Sequence, residues 1–212
     1  MASPYFHSWK KDHGIHRIHE NAYRANEFNA SGRGDARFSP LADAKGKVIP
    51  TLYGGNTFIC AAMETVFHDL PDQNVDDYIL DFNDLDSLAV SRIHPVRELR
   101  LLSLVSRYLI PLKLKKTQVI ETPVTDYPAT TALALDWHTR YPDIDGLYWT
   151  SRQDDAAQAC MLFGDRISEA DLKIELNSDP LQGPVHVKNL VDLARELGIS
   201  KGHAFPSSIV GF

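Results

Sequence analysis

Thr51-Leu52-Tyr53-Gly54-Gly55-Asn56-Thr57-Phe58-Ile59-Cys60-Ala61-Ala62-Met63-Glu64 carries a change of periodicity within a few residues. Thr51-Leu52-Tyr53 reads as a short strand ending at Gly54-Gly55, where two residues without side chains allow the chain to turn. Asn56 or Thr57 can then cap a helix, because a short polar side chain satisfies backbone N–H groups that have no partner in the first turn. The apolar spacing carries that helix to about Leu70, with Pro71 ending it. Ile59, Met63, Val66, Phe67 and Leu70 recur at three- and four-residue steps and predict one buried face. Glu64, five residues past Ile59, falls about 140° round the helix from it at roughly 100° per residue. It therefore sits beside the core stripe.

Working outward, Ile15-His16-Arg17-Ile18-His19 predicts an early strand with Ile15 and Arg17 on one face and Ile18 on the other. Further strands are expected around Tyr78–Phe82, Leu99–Leu104, Gly146–Thr150, Ala159–Phe163 and Leu172–Leu176. The Gly146 and Ala159 strands join through the polar turn Ser151 to Asp155. Helices are expected over Ala129–Thr139, with Leu133 and Trp137 turned inward, and over Pro184–Leu197, stopped by Gly198. Asn21 to Lys47, punctuated by Gly32, Gly34, Pro40 and Gly46, predicts a long irregular loop, and loops of that length inside a domain are often functional. Strands and helices mix without regular βαβ alternation. The fold class is therefore α+β, a mixed and mostly antiparallel sheet flanked by helices.

At 212 residues with 43% hydrophobic and 24% charged side chains, the chain suits one globular domain spanning 1–212. A formal charge of −6 argues against a nucleic-acid surface but leaves room for a local anion site built from two or three arginines. Two cysteines, Cys60 and Cys160, are too few for a disulfide framework, and Cys60 lies in an apolar run that predicts a buried thiol. Neither a signal peptide nor a membrane-length apolar run is evident, so a cytoplasmic location and no membrane association are expected. His7, His13, His16 and His19 lack a completing carboxylate or cysteine pattern, so no metal is expected. Ser151 lacks a nucleophile elbow, and no dinucleotide or Walker loop follows a strand.

Four features rise above this background: Arg17 in the early strand; the loop Ser31 to Pro40 with Arg33 and Arg37-Phe38; Tyr53 followed by Glu64; and Asp145-Gly146 followed by Ser151. Singly, each has an ordinary reading as a surface or turn residue. In this order and spacing, over roughly Ile15 to Phe163, the chain resembles the RES-domain family. Arg33 and Arg37 compete for the loop arginine, and Arg37 is favoured because an aromatic residue follows it. Phe38 stands where a Trp often does, and the segment Leu99–Asp126 has no clear counterpart.

The resemblance implies a fold like that of ADP-ribosyltransferases and NAD⁺ as substrate rather than cofactor. It implies Arg17, Glu64 and Ser151 as catalytic residues and Arg37 and Tyr53 as NAD⁺-binding residues. Arginine forks hold pyrophosphate oxygens, and a tyrosine face stacks on nicotinamide. Glu64 would steady the oxocarbenium-like ribose as neutral nicotinamide departs, and Ser151 would orient Glu64 or bind the nicotinamide ribose or amide. The implied role is the toxin of a bacterial type II toxin–antitoxin pair that depletes NAD⁺ by hydrolysis or phosphorolysis, held by an Xre-type antitoxin. Mono-ADP-ribosylation of a protein and a non-catalytic binding module are the alternatives; a homo-oligomer is compatible with each.

Overall fold

In the computed structural model, which describes residues 3–68, 70, 75 and 78–203, the helix after Gly54-Gly55 is a single tight unit, α1, Phe58–Met63. Thr57 is its cap, its hydroxyl accepting the Cys60 N–H at 3.0 Å. The expected run to Leu70 does not form. The N–H groups of Thr65, Val66 and Phe67 all converge on the Ala62 carbonyl, which closes the helix and leaves Glu64 as its C-cap. Two β-branched residues in succession, Thr65 and Val66, favour that stop. Pro71 lies outside the described residues. The buried side is Cys60 to Met63, and Ile59 is 44% exposed, contrary to the expected stripe. Gly55 is the reason. A Cβ there would lie 2.5 Å from Cys60 Sγ, so the bare glycine lets Cys60 press onto the strand and turns Ile59 outward.

The strands in chain order are β1 Phe6–Trp9, β2 Ile15–Glu20, β3 Leu41–Ala42, β4 Val48–Ile49, β5 Thr51–Gly55, β6 Leu80–Asp81, β7 Leu88–Pro95, β8 Leu99–Ser103, β9 Gly146–Thr150, β10 Gln158–Phe163, β11 Leu172–Pro180 and β12 Gly202–His203. The remaining helices are α2 Ser106–Leu109, α3 Tyr127–Arg140 and α4 Pro184–Glu196. Eight strands form one sheet in the order β1-β8-β9-β10-β5-β2-β7-β11, antiparallel except where β8 meets β9. This is the α+β architecture the patterning implied. β7 escapes the alternation rule because Ala89, Val90 and Ser91 are buried in succession. The strand expected at Tyr78–Phe82 shrinks to β6, since the Asp81 side chain accepts the Asn83 N–H at 2.9 Å and starts a 3₁₀ turn at Phe82. Asn21 to Lys47 is irregular as expected, apart from β3, which pairs with β4.

The sheet curls. Trp9, Ile15, Leu52, Ile93, Leu99, Leu101, Tyr148, Cys160, Leu162 and Leu172, drawn from both edge strands and the middle, meet in one helix-free cluster on its inner face. α3 covers the outer face of the β8-β9-β10 half through Ala134 and Trp137. α4 packs with α1 over the other half through Val187, Leu190, Val191 and Ala194. Asp145 is a structural joint: it grips Arg97 through both carboxylate oxygens, at 2.6 and 2.9 Å, and accepts the Arg100 N–H at 2.8 Å. Among the described residues no helix is long and apolar enough to cross a membrane.

Candidate active site

β2 and β5 pair only at His16 and Gly55 and then part. The gap they leave is the floor of a cleft of about 530 Å³, a size that suits a small-molecule site. Beyond the parting, strand β5 needs other partners for the backbone groups on its β2 side. Thr51 exchanges hydrogen bonds with Asn29, and the Tyr53 carbonyl accepts Arg17 Nε at 3.0 Å. Arg17 Nη1 donates to the Ala25 carbonyl. Gly54 is required here, because a Cβ would overlap the Ile15 side chain and approach Arg17 Cγ to 3.2 Å.

Arg17 is thus buried, not on an exposed face, and Ile15, Arg17 and Ile18 are all shielded from solvent. Burial pushes its guanidinium down to about 10, so it stays charged at neutral pH. With Nε and Nη1 committed to carbonyls, Nη2 is the nitrogen left to a ligand; the side-on fork is closed. Arg17 braces the split and lines the cleft.

Arg37 is placed differently. Phe38 is fully buried against Trp149, ring centroids 5.2 Å apart, and this pins the loop. Arg37 lines the cleft, whereas Arg33 is exposed and outside it. Arg37 Nη1 donates to Thr122 Oγ1 at 2.8 Å and to the Thr122 carbonyl at 3.3 Å. Its side-on edge, Nε and Nη2, takes no hydrogen bond among the described residues. Burial lowers its pKa, while Tyr127 and then Glu64 oppose that shift.

Glu64 reaches the same cleft from the end of α1. Ser151, fully buried at the end of β9, donates its hydroxyl to Glu64 Oε1 at 2.6 Å. Ser151 Oγ in turn accepts the N–H groups of Gln153 and Asp154 at 3.1 and 3.2 Å. Both lone pairs being occupied, the hydroxyl proton can only point at the carboxylate. Gln153 Nε2 also donates to the His68 carbonyl at 2.8 Å, tying the turn to the chain just past Glu64. Ser151 is set behind the carboxylate and aims it.

Tyr53 offers a half-buried ring to the cleft, and its hydroxyl is locked between the Phe38 N–H and Ser39 Oγ, each at 3.2 Å. Burial raises that phenol well above its ordinary value, so it is no acid or base near neutrality. Trp149 meets Tyr53 edge-on at 6.3 Å and shares the lining. Sequence reasoning overlooked Trp149, Tyr127, Val124 and His68, all of which line the cleft. Trp149 stands in the expected strand Gly146–Thr150, and its alternation with Leu147 is the available signal. Val124 lies in the stretch that had no clear counterpart, and Tyr127 directly follows it.

The cleft therefore sets two guanidinium groups against a carboxylate, between aromatic faces. That charge pattern matches a ligand carrying both phosphate and a cationic ring. Comparison with protein-family models matches residues 14–182 to the RES domain. No match was found among curated proteins.

Proposed function

The chain belongs to the RES-domain family, and from that membership we propose that it cleaves the bond between nicotinamide and ribose in NAD⁺. The observation that carries the reading is the convergence of Glu64, aimed by Ser151, with Arg17 and Arg37 on one cleft. Arg37 offers its side-on edge to the pyrophosphate, and Arg17 adds a single donor nitrogen. The Tyr53 and Trp149 rings receive the nicotinamide. As the C–N bond breaks, its electron pair leaves with neutral nicotinamide, so no general acid is required. Positive charge grows on the ribose, and the Glu64 carboxylate stabilises it. At an effective dielectric near 20, unit charges about 4 Å apart attract by roughly 4 kcal/mol. Expressed mainly in the transition state, that is about three decades of rate.

Water completes the reaction as ADP-ribose and a proton; inorganic phosphate would give the phosphorylated sugar. Loss of NAD⁺ would make the protein a toxin, and a cognate antitoxin of the Xre type with a segment filling the cleft would be its natural restraint. The test follows free nicotinamide from NAD⁺ incubated with purified protein, with and without phosphate. Sustained release, abolished in Glu64→Gln, is the expected result. Intact NAD⁺ after prolonged incubation with folded wild-type protein, in both buffers, overturns the reading.

A further inference from the structure

We propose that Thr122, from the stretch between β8 and α3, and Tyr127, the first residue of α3, are positioning residues that set the direction in which Arg37 presents its charge to an anionic ligand. The inference rests on the reading of the cleft as a dinucleotide site and adds the element that holds its phosphate clamp. Arg37 is clasped at every point except its ligand edge. Thr122, itself buried, takes Nη1 through both its hydroxyl and its carbonyl. The Tyr127 ring lies under the guanidinium, with Arg37 Cζ 5.1 Å from the ring centroid. Thr130 Oγ1, one turn further along α3, shares its single proton between the Arg37 and Tyr127 carbonyls, so backbone and head group are fixed by one short stretch.

A guanidinium has one side-on fork, formed by Nε and Nη2, and an end-on fork that needs Nη1. Engaging Nη1 leaves the side-on fork as the intact bidentate donor, which fits two oxygens of one phosphate or carboxylate. The stretch is itself anchored. Lys116 pairs with Glu121 at 3.0 Å and reaches Asp155 at 4.0 Å, linking it to the turn that carries Ser151.

The experiment compares Thr122→Val, Thr122→Ser and Thr122→Ala in two readouts: ADP-ribose binding by calorimetry, and kcat and KM for nicotinamide release from NAD⁺. Thr122→Val, close in shape and keeping the backbone carbonyl but without the hydroxyl acceptor, is expected to weaken ADP-ribose and raise KM about tenfold, with kcat within about twofold. Thr122→Ser should restore wild-type values within about twofold, and Thr122→Ala, which also lacks the hydroxyl, should show the same losses and takes the place of Thr122→Val if the latter fails to fold. In an Arg37→Met background the Thr122→Val effect should vanish, since the residue acts through the arginine. Wild-type binding in Thr122→Val, or an undiminished effect without Arg37, overturns the proposal. So does absence of ADP-ribose binding by the wild-type protein. If ADP-ribose binding follows Thr122 and Arg37 while NAD⁺ is never cleaved, the positioning role stands and the catalytic reading falls.

Discussion

Replacing Ser151 with alanine removes one oxygen that serves three bonds: a 2.6 Å donation to Glu64 and two acceptances from Gln153 and Asp154. A hydrogen bond to a charged partner contributes about 1.5–3 kcal/mol net. If it steadies Glu64 chiefly in the transition state, its loss lowers kcat about 10–100-fold, at roughly 1.4 kcal/mol per decade. Arg37 and Tyr53 are untouched, so KM should stay within about threefold. The two turn N–H groups, on half-buried residues, lose their buried acceptor, at about 2 kcal/mol, or roughly 4–8 °C in Tm for a chain of this size. Nicotinamide release at saturating and limiting NAD⁺, with a thermal melt on the same sample, reads both effects. A lowered Tm with unchanged kcat would refute the steering of Glu64 and leave Ser151 as a turn residue.

Gly55→Ala should cost about 1–3 kcal/mol in chemical denaturation, because the new Cβ meets Cys60 Sγ at 2.5 Å and Cys60 Cβ at 2.8 Å; an unchanged midpoint would contradict that packing. Burial is the first cause that depresses the pKa of His7, His16, His19 and His138. The unfolded chain therefore binds more protons than the folded one below the ordinary histidine value of about 6.5. Their contribution is complete above that pH and is lost as pH falls, so urea denaturation should show lower stability at pH 5.5 than at 7.5. A flat or opposite trend would be inconsistent with four half-buried neutral imidazoles. Both cysteines are buried, with thiol pKa values raised by burial, that of Cys160 to about 12. Iodoacetamide should leave the native protein unmodified and label both sites after denaturation; stoichiometric labelling of native Cys60 would show that the cleft wall opens.

The parts of the site legible in the sequence are those whose chemistry is local. Tyr53, the glycine pair and a capped helix carrying Glu64 lie within one short run, and Arg37 announces itself by the aromatic anchor beside it. The helix was overestimated because apolar spacing continues to Leu70, whereas its end is set by competition for one carbonyl, that of Ala62, and by the Gly55–Cys60 contact. Spacing cannot report either.

Residue type and order determined an α+β chain with a carboxylate and two arginines suited to a phosphate-bearing cation. Tertiary structure alone decided that β2 and β5 part after one pair, that Arg17 spends two nitrogens closing that split, and that Thr122 aims Arg37. The physical reason is that a hydrogen bond's partner is chosen by which strands lie side by side, and residues 85 positions apart, such as Arg37 and Thr122, become neighbours only when the sheet has curled.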